Sequence, residues 1–445
     1  MIRISKSVNQ AISMPDLPEN FRETTNSPMP DSSPTFYDRL ALGSRILDLA
    51  DNLAHWSEST GGLTCTFFSD AHRAVARQLR DWFAAAGLVS EIDPIGNVVG
   101  RMAGARPGAR TLILGSHYDT VRNAGKYDGR LGILCALVVL ESLRGTRLPF
   151  AVELIGFSEE EGVRFATPYL GSRAVVGRLD AALMNVRDRS GHRLGDVIAA
   201  AGRDPTQLSS VARRPEDIMA YLEVHIEQGP ILLNDNVPVG IVTAIAGGVR
   251  YALAIEGEAG HAGTVPMDAR RDALLAAAEI ALFVERRARQ EPGLLATVGR
   301  FEVPEGAINV IPRRCELSLD VRAQDDAVLT HALADILAES EAIAGRRGVR
   351  LSTRELLRKK AVPCAPHLQQ LFAASIEKAN MPVKRLASGA GHDAATFDGF
   401  TDIGMLFVRC GNGGISHSPS ETVTAEDAGI AAQILRDTLV RLAAM

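Results

Sequence analysis

With 445 residues, 46% of them apolar and 23% charged, the chain is too long for one ordinary hydrophobic core and predicts a globular protein of two domains. A net charge of -5, with no run of Lys and Arg interleaved with aromatics, excludes a nucleic-acid groove, and no apolar run approaches the roughly 18 residues of a membrane span. Five scattered cysteines (Cys65, Cys135, Cys315, Cys364, Cys410) without CxxC spacing argue against a disulfide framework or a cysteine-ligated zinc, and for a reducing, cytoplasmic setting.

Residues 1–36 are rich in Ser, Pro and Asn and lack the apolar stretch of a secretory signal, so they read as a disordered leader. Folding signals begin at Tyr37. The stretch 69–87 predicts a capped helix with Val75, Leu79, Trp82 and Phe83 on one face and Gly87 as its stop. Strands over 111–116, 150–157 and 221–226 then alternate with helices over 131–143 and after Tyr169. That rhythm predicts an α/β layer with helices on both faces of a mainly parallel sheet.

At Gly247 the pattern changes. Strand-like stretches over 251–258 and 307–322 flank a helix over 267–290, and a further helix over 325–344 is expected to stop at Gly345. Helix and strand alternation returns over 367–380, 402–408 and 424–442. The expectation is a large domain over 37–246 and 359–445, interrupted by an α+β unit over 247–358.

Chemistry-bearing residues cluster at predicted strand ends, where open α/β sheets border their binding crevice. The first motif is Gly115-Ser116-His117-Tyr118-Asp119-Thr120-Val121. A His two residues from an Asp lets the carboxylate take the spare imidazole N–H, leaving the other nitrogen for a metal; alone, the pair is equally a surface His beside a loop Asp. Asp128 follows in Tyr127-Asp128-Gly129, where one carboxylate has two oxygens with which to bridge two cations; Asp-Gly is also a common turn. Next comes Ser158-Glu159-Glu160-Glu161-Gly162. Three adjacent acids repel one another, which a cation relieves at one of them while a neighbour serves as general base. His225 in Glu223-Val224-His225-Ile226-Glu227-Gln228-Gly229 and His417 in Gly414-Ile415-Ser416-His417-Ser418-Pro419 complete the set.

In this order, these five motifs resemble the dinuclear metallopeptidase superfamily of aminoacylases and carboxypeptidases, and specifically its amidase, hydantoinase and carbamoylase branch. The resemblance runs from about Tyr37 to the C-terminus. It implies that His117, Asp128 and His225 hold one divalent cation and Asp128, Glu161 and His417 the other, with Asp119 behind His117 and Glu160 as general base. The acid run leaves a second register open, with Glu159 as base and Glu160 as ligand. One departure from the family pattern is Ala124-Gly125, where two glycines usually precede the YDG motif.

The inserted unit carries matching signals in Gly260-His261-Ala262-Gly263-Thr264, in Asn309-Val310-Ile311-Pro312 and at Arg322. Cys315, Leu317, Leu319 and Val321 alternate, which puts Arg322 on the non-core face of its strand, free to pair with a carboxylate. By resemblance Arg322 and Asn309 clamp a substrate carboxylate and His261 polarises the scissile carbonyl from a lid, often across a homodimer. Gln228 and the Ser388–Asp393 loop, with Gly391 and His392, match further substrate contacts; for His392 a role in holding the loop is the alternative.

The implied reaction is hydrolysis of the ureido C–N bond of a small carboxylate. Zn and Mn are the expected metals, with Co and Ni as alternatives. The segments Leu63-Thr64-Cys65-Thr66-Phe67, Ala71-His72-Arg73-Ala74 and Ile95-Gly96-Asn97-Val98-Val99-Gly100-Arg101 resemble bacterial allantoate amidohydrolases. N-carbamoyl-L-amino-acid hydrolase, or β-ureidopropionase, is the alternative. An aminopeptidase or dipeptidase would recognise a free α-amine, and a non-catalytic binding protein would have no need of the full ligand set.

Overall fold

The computed structural model describes residues 36–445, so the leader expected over 1–36 lies outside the described residues except for its last position. Phe36 opens a helix that runs to Ala54. Among the described residues the strands form a nine-stranded sheet, a five-stranded sheet and a two-stranded ribbon.

Four strands make the centre of the large sheet: Ala151–Phe157, Thr111–His117, Ile218–Ile226 and Ile403–Val408, each parallel to its neighbour. The flanks are mostly antiparallel, with Arg385–Ser388 parallel to Val239–Ile245 as the exception. Val98–Met102 and Val89–Ile92 extend one side, and Val239–Ile245 pairs with Ile403–Val408 on the other. The parallel centre follows from near-continuous apolar strands, buried on both faces and joined by helices. Along Thr111–His117 the period-2 alternation is visible in the packing. Leu112 and Leu114 enter one core with Leu79, Phe83, Leu134 and Leu406, while Ile113 enters the opposite core with Ile155, Phe157, Tyr221 and Phe397. Helices Asp70–Ala85, Arg130–Ser142, Pro366–Lys378 and Ala425–Ala443 contribute to the first of these cores.

The expected helix over 69–87 runs Asp70–Ala85, with the Ser69 hydroxyl accepting from the backbone N–H of His72 and Gly87 just beyond it at φ +89°. The five-stranded sheet is built from residues between Gly247 and Lys359, inserted in sequence between Val239–Ile245 and Val362–Pro363 of the large sheet. Helices Ala273–Arg289 and Asp326–Arg347 cover it, closing a separate core around Val249, Leu253, Ile280, Val321 and Ile336.

Three boundaries here differ from expectation. The helix expected from 267 begins at Ala273, because the Asp272 carboxylate caps it by accepting from Leu274 and Leu275 N–H at 2.9 and 3.1 Å; residues 267–269 form a separate short turn. Gly345 lies inside its helix, which instead stops at the left-handed Gly348. The stretch 307–322 is two strands, Val310–Ile311 and Arg314–Ala323, because Pro312 interrupts it. On the second of these the apolar alternation holds: Cys315, Leu317, Leu319 and Val321 are buried and Arg322 faces away from the core. No helix among the described residues is long and apolar enough to cross a membrane.

Candidate metal centre

The parallel strands deliver the site. His117 ends the strand Thr111–His117, residues 158–161 follow the strand ending at Phe157, and His225 lies one residue before the end of Ile218–Ile226. The fourth strand ends at Val408 and leads through a loop to His417. Asp128 immediately precedes the left-handed Gly129, the N-cap of the helix Arg130–Ser142. A Cβ at Gly129 would lie 2.5 Å from the His117 ring, so the Asp-Gly pair is there for close approach as well as for the turn.

Asp128 is the centre of the arrangement. Its Oδ1 faces Nε2 of His117 at 3.5 Å and Nε2 of His225 at 3.3 Å, whereas Oδ2 faces Nε2 of His417 at 3.0 Å. The same His417 nitrogen lies 3.4 Å from Oε1 of Glu161. Ligand atoms of His117, Asp128 and His225 therefore converge on one point, and those of Asp128, Glu161 and His417 on another. Oδ1 of Asp128 is buried and satisfied by no hydrogen bond, a costly state for a carboxylate oxygen unless a cation takes it up. The imidazole and carboxylate donors suit a borderline divalent ion, and the residues fit the two-cation centre expected of them.

Supporting contacts aim these ligands. Nδ1 of His117 lies 3.1 Å from the backbone oxygen of Asp119 and 3.3 Å from its carboxylate, and Nδ1 of His225 lies 2.9 Å from the carbonyl of Ile226. Donation there turns each Nε2 toward Asp128. The Asp119 carboxylate also accepts the backbone N–H groups of Glu160 and Glu161, at 3.0 and 3.2 Å, fixing the acid loop from behind. Ser158 is held in turn by His72, whose Nε2 lies 2.7 Å from its carbonyl, and by Asn97, whose Oδ1 accepts its N–H at 3.1 Å. Two of the segments that resemble allantoate amidohydrolases thus hold the acid loop.

The three acids occupy different places. Glu161 stands with Asp128 and His417, and Glu160 stands with His117 and Glu161. Glu159 is fully buried, belongs to neither group, and has both carboxylate oxygens without a hydrogen-bond partner. Burial raises Glu160 well above the usual carboxylate range despite the nearby His117. Burial and the Asp128 charge push Glu161 up to about 7, and the hydrogen bond to Asp128 raises His417 to about 9. Burial alone would lower His117, but Asp119 and Asp128 outweigh it and hold the imidazole well above its ordinary value.

The His417 side opens into a crevice of about 810 Å³ between the two sheets, lined by Gln228, Ser416, His417, Arg322 and Gly389, with Leu295, Leu319, Leu356, Leu386 and Phe407 as an apolar wall. Nε2 of Gln228 donates to Oδ2 of Asp128 at 3.0 Å, at the mouth of the second ligand group. Gln228 and His417 both have left-handed backbones, at φ +57° and +53°, a conformation non-glycine residues take up mainly where surrounding contacts impose it. Arg322 holds a fork with Asp320, at 2.9 and 3.0 Å, and donates across the crevice to the carbonyl of Gly389 at 2.8 Å. It also lines an adjoining cavity of about 460 Å³ with Arg250, Lys359, Tyr169 and Gly391.

Other expected site residues lie elsewhere. His392 is buried behind His225, with ring centroids 4.4 Å apart, and its Nε2 lies 2.7 Å from the Ser388 hydroxyl oxygen. His261 and Asn309 sit together on the ribbon, where Val310 pairs with His261, but both are exposed and neither lines the crevice. The structure therefore assembles the expected metal ligands, Glu160, Gln228 and Arg322 within one chain, and leaves His261 and Asn309 outside.

Sequence reasoning passed over Tyr169, Lys359 and Glu421. The N–H of Tyr169 donates to the Glu160 carbonyl at 3.2 Å, and the Lys359 ammonium lies 5.0 Å above the Tyr169 ring. Single residues of these types give no periodic or spaced signal; for Glu421 the only hint was its place four residues after His417. The Ala124 departure touches no ligand: this residue is buried and its N–H donates to the carbonyl of Leu63 at 2.7 Å.

Comparison with known proteins places the chain. The profile described as peptidase family M20/M25/M40 matches residues 113–441. The chain is 38% identical over 404 residues to an N-carbamoyl-L-amino acid amidohydrolase of Geobacillus stearothermophilus, a match covering 90% of this chain and 98% of that protein. It is 38% identical over 426 residues to a probable allantoate deiminase of Oryza sativa subsp. japonica, covering 88% and 86%. In structure it matches an amidase of the hydantoinase/carbamoylase family from Burkholderia multivorans with a TM-score of 0.85 at 31% identity, covering 91% of this chain and 98% of that one. A chain matched by the family profile over most of its length, with relatives this similar end to end, belongs to peptidase family M20/M25/M40, among the hydantoinase/carbamoylase amidases.

Proposed function

We propose that the protein is a two-metal amidohydrolase that cleaves the ureido C–N bond of a small carboxylate, with allantoate as its substrate. The observation that carries this reading is the division of the Asp128 carboxylate between two ligand groups, Oδ1 toward His117 and His225 and Oδ2 toward His417. Two divalent cations bound there, Zn or Mn by donor type, would lower the pKa of a water and polarise the scissile carbonyl.

The chain's own residues do the rest. Glu161 completes the second ligand group, and Glu160, beside His117 and raised by burial, takes the proton of the attacking water and returns it to the leaving nitrogen. Arg322, fixed by Asp320, fastens the substrate carboxylate and so orients the ureido carbon. The Arg322 contact to Gly389 spans the crevice, as expected if the insert over 247–358 acts as a lid.

His261 and Asn309 enter the same reading through a homodimer, each supplied to the partner's crevice. Beside them Ile308 is fully exposed and Val310 and Met267 are exposed, apolar positions that a second copy would cover. Five unpaired, buried cysteines suit a cytoplasmic setting.

The cationic chamber with Arg250 and Lys359 favours allantoate, whose second arm is polar. The apolar wall of the crevice favours the second reading, an N-carbamoyl-L-amino-acid hydrolase whose substrate carries an apolar side chain. Ammonia release from allantoate, measured beside amino-acid release from N-carbamoyl-L-methionine, decides between them. Faster turnover of allantoate is expected, and the reverse preference would transfer the assignment to the second reading.

A further inference from the structure

Glu421 is 3% exposed and does not itself line the crevice. Its Oε1 accepts the backbone N–H of Tyr127 at 2.9 Å and that of Asp128 at 3.1 Å. Its Oε2 accepts the Ser416 hydroxyl at 2.8 Å, and that hydroxyl oxygen also lies 3.3 Å from Oδ2 of Asp128. One carboxylate therefore joins the backbone of the bridging residue to the residue before His417, across 288 positions of sequence. The chain leaves room for it. A Cβ on Gly125 would stand 2.3 Å from Oε1 of Glu421, so any other residue there would push the carboxylate off the loop.

The need for such a tie is visible on both sides. Asp128 must present its two oxygens in opposite directions, and a small rotation would spoil one ligand group to favour the other. His417 has a left-handed backbone at φ +53° and half of its side chain exposed, so neither local preference nor packing alone fixes it. The Glu421 carboxylate takes three donors, two backbone N–H groups and one hydroxyl, and burial removes water as a competitor for them. The Glu421 N–H donates back to the Ser418 carbonyl at 3.0 Å, closing the loop around His417.

We propose that Glu421 is a positioning residue that locks the Asp128 carboxylate and the His417 imidazole into one register, so that affinity for the second cation depends on a residue that touches neither cation nor substrate. This rests on the two-cation reading of the site.

The test is calorimetric titration of Zn(II) into metal-free wild type, Glu421→Gln and Ser416→Ala, with the melting temperature of each metal-free protein. Wild type should take up two equivalents. Glu421→Gln, which keeps the shape of the side chain, should weaken the second equivalent about 10–100-fold, the usual effect of losing an outer-shell partner, and the first much less. Ser416→Ala should shift the second equivalent in the same direction by a smaller factor, and it carries the test if Glu421→Gln does not fold. Unchanged affinities for both equivalents, or an equal weakening of both that follows the fall in melting temperature, would overturn the inference. Uptake of fewer than two equivalents by wild type would instead remove the two-cation reading beneath it.

Discussion

Nε2 of His417 lies 3.0 Å from Oδ2 of Asp128, the carboxylate oxygen turned away from His117 and His225. A single side chain thereby belongs to two ligand groups of unequal exposure: the first trio is buried, while the His417 side chain is 48% exposed to the crevice. The second cation should accordingly be the more exchangeable of the two.

Removing the bridge and removing one end should differ in stoichiometry. Asp128→Ala should lose both cations, and His417→Ala should lose one while the buried trio keeps the other. Elemental analysis of the purified variants measures this, and turnover of each should fall by more than the roughly 10–100-fold typical of outer-shell changes. Two retained equivalents in Asp128→Ala would rule out the bridge.

The choice of base separates adjacent acids. Glu160→Gln should retain both cations and lose about 10²–10⁴-fold in kcat, the contribution expected of a general base. Glu159→Gln should lose far less, because Glu159 belongs to neither ligand group. A larger loss for Glu159→Gln would restore the other register of the acid run.

Protons should compete with metal at the second ligand group. In the metal-free protein Glu161 is protonated below about 7 and His417 below about 9, both above their ordinary values of 4.5 and 6.5. Raised values mean that the folded chain holds more protons than the unfolded one, so metal-free stability should fall as pH rises from about 4.5 to about 9. Metal affinity should climb over pH 6 to 9, with protons released on binding. Melting curves of chelated protein across this range, and calorimetry in buffers of different ionisation enthalpy, check both signs.

Arg322 should act on substrate binding. Arg322→Lys keeps a charge but loses the fork to Asp320, and KM should rise about 10–100-fold with a smaller change in kcat, in line with roughly 1.5–3 kcal/mol for a hydrogen bond to a charged group. Steady-state kinetics on the preferred ureido acid measures the split, and an unchanged KM would remove Arg322 from the substrate.

The placement of His261 gives a mixing test. If it serves the partner's crevice, His261→Ala and Glu160→Gln, each inactive alone, should regain activity when co-expressed, since one crevice of each mixed dimer then has both residues. If it acts within its own chain, every crevice in the mixture stays defective.

Much of this architecture was legible in the sequence because it rests on local, repeated signals. Unbroken apolar runs marked the central parallel strands, and their ends marked where His117, Glu161 and His225 would meet. The antiparallel flanks were less visible. Val89–Ile92 is a four-residue, half-polar edge strand, and Val98–Met102 is only five residues long with Gly100 and Arg101 breaking its apolar run, so neither alternation nor an apolar run announces them. Gly345 looked like a helix stop, yet a glycine inside a helix costs only about 1 kcal/mol and the packing of Ile343 and Ala344 carries the helix past it. Within the site, motifs picked out the residues that converge around Asp128 but not what steers them. Asp119 was legible from its spacing to His117, whereas Glu421, Tyr169 and Lys359 act through contacts between segments far apart in sequence, which no spacing rule encodes.

Two-metal ureido hydrolysis is tested most directly by stripping the protein of metal and measuring turnover of allantoate and N-carbamoyl-L-methionine as Zn(II) or Mn(II) is added back. Turnover should be negligible without metal and should rise to a plateau at two equivalents per chain, on at least one of these substrates. Hydrolysis unaffected by chelation, or a reloaded protein that leaves both ureido acids intact while cleaving unblocked dipeptides, would contradict it.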